Sequence, residues 1–366
     1  MGAPSISIAF IERAKETMRR GERGILAMIL KDAAEANYVV TSVADIPVSL
    51  STQNKAYIKT ALLGYETTPK KIIVYVIETP GENETLSYDD ALEFLSKYRW
   101  DWLCIPTVAT DGMTSTVAAW IVSQRSTMHA TYKAVLPDTA ADNEGIVNVG
   151  NSFKEGSTTY TKEEACVRAA GIICGTSKSR SCTYATIPEA TDCDRMTQTE
   201  IDTAVDAGKF IFFWDGEKVK VCRGVTSFVT PTTDKGDSFK KIRLVEFMDM
   251  IKDDIRLTAQ DSYIGKYPNT YDSKCVLITA INQYFSELKS EDVLSAGNCE
   301  IDIEKNIQYI TQHGGTIVLD NGEVVSLADA TEQQIKEAQT GSFVYLRATI
   351  QLIDAIEDIV LDIYIG

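Results

Sequence analysis

Short apolar segments alternate with amphipathic ones between residues 24 and 174. The apolar segments are too short for helices and are apolar on both faces, which is typical of strands buried inside a sheet. They comprise residues 24–32, 70–78, 101–106, 132–137 and 145–151. Because a parallel strand pair needs a long crossover, buried strands joined by helices indicate a parallel sheet. The sequence therefore predicts an α/β domain over residues 23–233, whose outer part spans roughly residues 80–200.

The amphipathic segments carry the features of helices. Ser51 and Ser87 stand where a capping hydroxyl is expected, ahead of apolar residues spaced three or four apart. The helices predicted on this basis span residues 51–65, 87–98, 114–126 and 161–174. They would supply the crossovers that the parallel sheet requires.

The second half of the chain changes to hairpins and longer helices. Asp215-Gly216 lies between two strand-like runs within residues 208–224, and this dipeptide favours a tight hairpin turn. We interpret residues 234–345 as an α+β domain. Its predicted elements are helices at 239–260, 270–291, 301–314 and 331–341, and a hairpin turn at Asn321-Gly322.

Both ends of the chain alternate apolar and polar residues over a short span. The apolar positions are Ile6, Ile8 and Phe10 near the start, and Ile359, Leu361, Ile363 and Ile365 near the end. A strand with one apolar face and unpaired backbone groups invites association. We therefore interpret residues 1–22 and 346–366 as extended arms that pair with sheets of other copies. Residues 19–24 and 355–358 are the predicted hinges.

Composition excludes several kinds of partner. The 52 acidic and 36 basic residues give a net charge of −16, which argues against binding a nucleic-acid backbone. No stretch is long and apolar enough to suggest a membrane span, and the first residues lack the pattern of a signal peptide, so we expect a cytoplasmic protein. The eight cysteines show no metal-binding spacing, and we expect reduced thiols that pack as small apolar residues.

Residues suited to catalysis are few. His129 and His313 are the two histidines, and neither lies in a nucleophile motif, so we predict no catalytic site, no cofactor and no metal. The carboxylates of Asp249, Asp253 and Asp254 are interpreted as the solvated face of a helix. Residues 110–116 place a glycine and hydroxyls at a helix start, where backbone N–H groups could hold an anion.

Several segments together resemble contractile tail sheath proteins, in particular the short sheaths of phages and R-type bacteriocin particles of Gram-positive bacteria. The segments that carry the resemblance are RGERGILAMILKD, GKFIFFWDGEKVKVCRGVTSF, KKIRLVEFMDMIKDDIRLTAQDSYIGKYPN, YDSKCVLITAINQYFSELKSEDVL and LRATIQLIDAIEDIVLDIYI. The resemblance spans both ends and most of residues 200–366, and is looser over 80–200. It implies a structural protein whose α/β domain has a subtilisin-like fold without the catalytic residues.

The resemblance also implies the partners and the location. Sheath subunits stack as hexameric rings around an inner tube and contract to drive that tube through a target envelope. Their partners are further copies of the subunit, the tube protein, and the baseplate and tail terminator proteins. Assembly would occur in the bacterial host cytoplasm, with release by lysis as part of a virion or bacteriocin tail.

The family's tube-facing helix corresponds to residues 239–260 in this chain. Its polar residues are the predicted ionic contacts to the tube. They are Lys240, Lys241, Asp249, Lys252, Asp253 and Arg256.

Two other functions fit parts of the sequence. One is an α/β enzyme or a nucleotide- or anion-binding protein that uses residues 110–116. The other is a different self-assembling shell or filament protein, which would share the arms but have no tube partner.

Overall fold

The computed structural model describes residues 18–81, 85–319 and 322–365. The described chain divides into two compact units. The larger unit contains residues 22–250 and 354–365, and the smaller unit contains residues 18–21 and 251–353.

The larger unit is built on strands β1–β12 and helices α1–α5, together with the first part of α6. The strands are β1 (Ile25–Asp32), β2 (Ala36–Val40), β3 (Lys71–Glu78), β4 (Trp102–Cys104), β5 (Lys133–Pro137), β6 (Ile146–Val149), β7 (Phe153–Glu155), β8 (Thr158–Thr159), β9 (Asp192–Cys193), β10 (Lys209–Phe210), β11 (Phe212–Trp214) and β12 (Val219–Val221). The helices are α1 (Thr52–Leu62), α2 (Asp89–Ser96), α3 (Thr114–Thr127), α4 (Lys162–Cys174), α5 (Gln198–Asp206) and α6 (Ile242–Thr258).

The main sheet has seven strands in the order β10-β6-β5-β4-β1-β3-β2. All neighbours are parallel except β2, which pairs antiparallel with β3 at one edge. This confirms the predicted α/β fold with a parallel sheet. Smaller antiparallel pairings join β7 to β8 and β9, and β11 to β12. The β11–β12 pair confirms the hairpin predicted around Asp215-Gly216.

Helices cover both faces of the main sheet, which explains the apolar strands. On β1, Leu26, Met28 and Leu30 pack on the side of α1 and α4. The alternate residues Ile25 and Ile29 pack on the side of α2 and α3. Because successive strand residues point to opposite faces, a strand buried on both sides must be apolar at every position.

The smaller unit contains the rest of α6 and the elements that follow it. These are α7 (Tyr271–Ser290), β13 (Leu294–Ile301), α8 (Ile303–Gln312), β14 (Thr316–Val318), β15 (Val324–Ser326), α9 (Glu332–Glu337) and β16 (Leu346–Leu352). β13 pairs antiparallel with β16, and β14 pairs antiparallel with β15. The β14–β15 hairpin was predicted, although residue 321 of its turn lies outside the described residues.

One part of the helix interpretation is wrong: two of the three carboxylates read as a solvated face are buried. Asp249 is 4% exposed and Asp254 is 1% exposed. Asp254 accepts hydrogen bonds from the Gly21 backbone N–H at 2.8 Å and the Tyr284 hydroxyl at 2.7 Å, both within the smaller unit. A buried carboxylate with such donors keeps its hydrogen bonds, and helical periodicity alone does not reveal those donors.

Candidate functional site: the terminal segments and the β13–β16 sheet

The C-terminal segment leaves its apolar side chains in solvent. Ile359, Leu361, Ile363 and Ile365 are between 74% and 95% exposed. In the part of the chain that the structure describes, residues 359–365 pair with no strand. A row of four exposed aliphatic side chains on alternate positions is a surface that favours association.

Just before this row, Glu357 fixes the segment to the larger unit. Its side chain is only 4% exposed. One carboxylate oxygen accepts hydrogen bonds from the hydroxyls of Thr183 at 2.6 Å and Ser181 at 3.2 Å. The other accepts from Lys241 Nζ at 3.0 Å. We call Glu357 and these three donors the arm anchor.

Charge reinforces the arm anchor. Lys241 also pairs with Asp354, and the Arg223 guanidinium lies 2.5 Å from Asp358. Burial lowers the pKa of Lys241, but hydrogen bonds and charge attraction from Asp354 and Glu357 outweigh burial and raise that pKa above its ordinary value. Two cations thus hold three carboxylates at the start of the exposed row.

The predicted hinge at residues 355–358 therefore includes a fixed point. Ile356 is exposed, whereas the neighbouring Glu357 is held in place. Sequence reasoning missed Ser181, Thr183 and Arg223, because a contact between positions more than 130 residues apart leaves no local pattern. The exposed row begins immediately after this fixed point.

In the smaller unit, the β13–β16 sheet has one edge closed by α7. The side-chain amide of Asn282 on α7 donates to the Cys299 carbonyl at 3.0 Å and accepts from the Cys299 N–H at 2.7 Å. This is the pair of bonds that a neighbouring strand would make. α7 also packs over Gly297, where an added Cβ would lie 3.0 Å from Cβ of Phe285.

The other edge of this sheet, along β16, is open. In an antiparallel pair, successive residues alternately direct their N–H and C=O groups toward the partner strand and away from it. Cys299 directs both at Asn282, so its partner Ala348 directs both away from β13. Leu346 and Ile350, two positions away on either side, do the same. Within the described chain no further strand pairs with this edge.

The last residues of the predicted N-terminal arm are also held, within the smaller unit. The Arg20 guanidinium lies 3.0 Å from Glu291, and Arg19 pairs with Asp261 at 2.7 Å. The first part of the hinge predicted at residues 19–24 is therefore tethered. The predicted arm strand with Ile6, Ile8 and Phe10 lies outside the described residues.

Two family models match this chain. The model for the phage tail sheath protein central domain matches residues 81–227, and the model for the phage tail sheath C-terminal domain matches residues 234–366. The tail sheath protein of Clostridium phage phiCD119 is 34% identical over 364 residues, with 98% of each chain covered. The chain belongs to the phage tail sheath protein family.

Solved sheath structures share the fold of this family member. A sheath tail protein from Desulfitobacterium hafniense matches with a TM-score of 0.68 at 18% identity, covering 96% of this chain and 98% of the other. The helical sheath of the anti-feeding prophage in its contracted state matches with a TM-score of 0.69 at 12% identity, covering 100% of this chain and 99% of the other. Tail sheath proteins are structural components of contractile injection systems, and that is the function of this chain; the family is not an enzyme family.

The six residues predicted to face the tube lie in different environments. Lys240 pairs with Asp237 at 2.9 Å, and Lys241 belongs to the arm anchor. In the smaller unit, Arg256 pairs with Asp253 at 2.7 Å, and Lys252 is exposed. Asp249 is buried in the larger unit, so its predicted role as a surface contact is wrong.

Asp249 instead forms the centre of a buried ionic cluster. Its carboxylate lies 3.0 Å from Lys133 Nζ and 2.9 Å from an Arg125 guanidinium nitrogen. Burial raises the pKa of Asp249, but the two cations, Lys133 first, outweigh burial and lower the pKa below its ordinary value. Arg125 and Lys235 also pair with Glu144 at 3.4 and 2.8 Å. The cluster ties α3, β5 and α6 together within the larger unit.

The loop ahead of the proposed anion site already binds a carboxylate of the chain itself. The Ala109 and Thr110 N–H groups donate to one oxygen of Glu163 at 2.8 and 3.0 Å, and the Thr110 hydroxyl donates to the other at 2.5 Å. Asp111 pairs with Lys31. These backbone donors are occupied, which does not favour an enzyme or nucleotide-binding function at residues 110–116.

The histidines and cysteines lie in ordinary structural environments. His313 stacks on Tyr309, and His129 is exposed in a left-handed conformation, with φ of 53°. The eight cysteines are free thiols, six of them buried. Across residues 18–81, 85–319 and 322–365, no helix is long and apolar enough to cross a membrane.

Proposed function

We propose that this sheath subunit polymerises by strand exchange, with residues 359–365 of one copy adding to the β13–β16 sheet of a neighbour. The observation that carries the proposal is the exposed apolar row that starts directly after a buried, anchored Glu357. The anchor fixes where the arm leaves its own body, and the row beyond it has no strand partner among the described residues. Strand addition would satisfy the backbone groups and bury the row at the same time.

Single contacts of this kind are modest. Each added hydrogen bond contributes about 0.5–1.5 kcal/mol net, and each apolar side chain that becomes fully buried contributes about 1.5–3 kcal/mol, before the entropy of ordering the arm is subtracted. Ordering the backbone costs about 1–2 kcal/mol for each arm residue, so one arm contributes only a few kcal/mol net. Repeated over many subunits, such links hold a mesh together while individual bodies move.

The finer architecture follows the family resemblance. Ile6, Ile8 and Phe10 would form a second arm, and the subunits would stack as hexameric rings around an inner tube. The baseplate and the tail terminator would bind the two ends of the polymer. Solved structures with this fold include a helical sheath in a contracted state and a baseplate, which supports this assignment. Contraction would be a switch between two sets of subunit interfaces.

The domain division and the place of assembly are also proposed here. We propose a functional division into an arm at 1–22, a non-catalytic subtilisin-like domain at 23–233, a sheath domain at 234–345 and a C-terminal arm. The predicted start of that arm at residue 346 is wrong, because residues 346–352 form β16 and pair with β13 of the same subunit. Assembly would take place in the host cytoplasm, before release by lysis as a virion or bacteriocin tail. The parallel sheet, which helices cover on both faces, supports the proposed domain at 23–233.

The tube contact is proposed for five of the six residues first predicted. They are Lys240, Lys241, Lys252, Asp253 and Arg256. If ionic contacts to the tube set the threshold for contraction, that threshold should fall as salt screens them. A threshold that is constant across ionic strength would remove this part of the proposal.

The strand-exchange proposal is tested by deleting residues 359–366 and leaving the arm anchor intact. We expect a folded subunit, shown by an unchanged circular dichroism spectrum, that no longer forms sedimenting tubes. The matched control is Val360→Thr, which changes the opposite face of the arm and should still give tubes in negative-stain micrographs. Normal tubes from the deletion variant would refute strand exchange by the C-terminal arm.

A further inference from the structure

We propose that the arm adds to the β16 edge of a second copy, in the register that places Asp362 opposite Arg347. This inference rests on the strand exchange proposed above and specifies its edge and its alignment. It follows from which edge is open, which face of the sheet is apolar and where the charges lie.

The edge is selected by Asn282. Its amide occupies the outward N–H and C=O of Cys299, so a strand that approached β13 would have to displace these two bonds. β16 presents the outward groups of Leu346, Ala348 and Ile350 with no such cover from the described residues. An incoming strand would therefore add to β16.

The faces of the sheet restrict the alignment. Gly297, Cys299 and Ile301 lie on one face of β13, and Gly297 contacts Phe285 of α7 there. Their partners on β16 extend this apolar face to the open edge. These partners are Ile350, Ala348 and Leu346. A strand shifted by one residue presents its other face, so the arm must continue this face with Ile359, Leu361, Ile363 and Ile365.

Charge then selects one register among those that remain. With the apolar row aligned, Asp362 falls opposite Arg347, Thr349 or Gln351 on the other face. Arg347 is the one charged residue of β16, and Asp362 is the one charged residue among 359–365. Arg347 is exposed, and it forms no ion pair with the described residues. Oppositely charged residues directly across a strand pair stabilise that pairing.

The sheet that results would alternate in charge across three strands. Glu300 on β13 lies opposite Arg347. Adding Asp362 beyond Arg347 gives a negative, positive, negative row across the strands. Either strand direction allows this row, because reversing the arm about Asp362 keeps the same residues on the same face.

Charge reversal tests the register in the full-length chain. Arg347→Glu and Asp362→Arg should each raise the concentration needed for sedimenting polymer by about tenfold. Arg347→Glu combined with Asp362→Arg should lower this concentration again, although not fully to the wild-type value, because the new carboxylate at position 347 lies opposite Glu300 of its own sheet. The matched control combines Asp362→Arg with Gln351→Glu, which adds a negative charge two positions further along the same face of β16 and should not restore assembly.

Mixing the two single variants gives a second measurement. Each variant alone has an arm and an edge of the same charge, whereas in the mixture each arm meets an edge of opposite charge. We therefore expect an equimolar mixture to assemble at a lower concentration than either variant alone. Absence of rescue in both the double variant and the mixture would overturn the register.

Cysteine pairs give a test that does not depend on charge. With Asp362 opposite Arg347, Thr349 faces Val360 in an antiparallel arrangement and Tyr364 in a parallel one. Mild oxidation of polymers should link Thr349→Cys to Val360→Cys or to Tyr364→Cys, seen as covalent ladders on a non-reducing gel. If neither pair links, the register is wrong. If the arm deletion abolishes tubes while these tests fail, strand exchange stands and only the β16 register falls.

Discussion

At the scale of single residues, Asp249 carries a buried charge that Lys133 and Arg125 share within the larger unit. Asp249→Asn would leave Lys133 and Arg125 buried without their main counter-charge. Breaking a buried ion pair from one side typically costs about 3–5 kcal/mol, so we expect a loss of that order in the free energy of unfolding by urea. Asp237→Asn, at an exposed carboxylate, is the control and should change this energy by less than about 0.5 kcal/mol. If Asp249→Asn also changed the free energy of unfolding by less than about 0.5 kcal/mol, the buried cluster would not exist in solution.

Asp249 also determines how the stability of the larger unit should change with pH. Since the pKa of Asp249 is lowered from its ordinary 3.8 on folding, its charge stabilises the folded state above that pH. This contribution is lost as the pH falls through the lowered, folded value. We expect the stability difference between wild type and Asp249→Asn to be constant from pH 5 to 7 and to shrink below about pH 4. A difference that grows on acidification would contradict the assigned shift.

The arm anchor makes a separate prediction about Lys241. Because its folded pKa is raised, Lys241 stabilises the anchor below its ordinary pKa of 10.5, and this contribution is lost as the pH rises through the folded value. Glu357→Ala removes one of its two carboxylates while burial remains, so the pKa of Lys241 should fall. NMR titration of the labelled lysine side chain measures it. The control is Asp358→Ala, which removes a carboxylate bound to Arg223 and should leave the pKa of Lys241 nearly unchanged. If both variants lowered this pKa equally, the arm anchor would be contradicted.

At the scale of elements, Asn282 decides whether the β13 edge is closed. Asn282→Ala would leave the buried Cys299 N–H and C=O without partners, at a cost of roughly 1–3 kcal/mol for each group. We expect a lower melting temperature and more aggregation, since the variant exposes a second open edge. Ser286→Ala, one turn further along the exposed side of α7, should change neither property. Unchanged behaviour of Asn282→Ala would show that α7 does not close the edge.

The elements also show what the sequence could and could not predict. The apolar segments at 70–78 and 132–137 predicted β3 and β5, because strands buried on both faces leave an unambiguous pattern. The pattern of residues 208–214 predicts one strand of a hairpin, yet β10 joins the main sheet and only β11 pairs with β12. Whether β10 and β11 join the same sheet depends on which distant strands lie beside them. The sequence of a strand does not identify the strand with which it pairs.

The site was predictable to a similar extent. The alternation of residues 359–365 identified the arm, because an apolar face is a local property. Three features were not predictable, since each depends on polar groups that the fold brings close. They are the burial of Asp249, the anchoring of Glu357 and the closing of the β13 edge by Asn282. Polar residues that bond to distant backbone or side chains look like surface residues in a sequence.

At the scale of the whole molecule, net charge opposes assembly. Each copy carries −16, and close packing of many copies brings like charges together. The proposed arm contacts are mainly hydrogen bonds and apolar burial, which salt screens little, with Arg347–Asp362 as a single ionic pair. Long-range repulsion should therefore dominate the salt dependence.

We accordingly expect salt to promote polymerisation of the isolated subunit. The Debye length falls from about 30 Å at 0.01 M to about 8 Å at 0.15 M salt, so repulsion between neighbouring copies is largely screened over this range. The fraction of subunit that sediments as polymer should rise across it, while the variant without residues 359–366 stays in the supernatant throughout. A polymer that dissolves as salt is added would indicate that ionic contacts between copies outweigh their net repulsion, and strand exchange would then not be the main force that holds the sheath together.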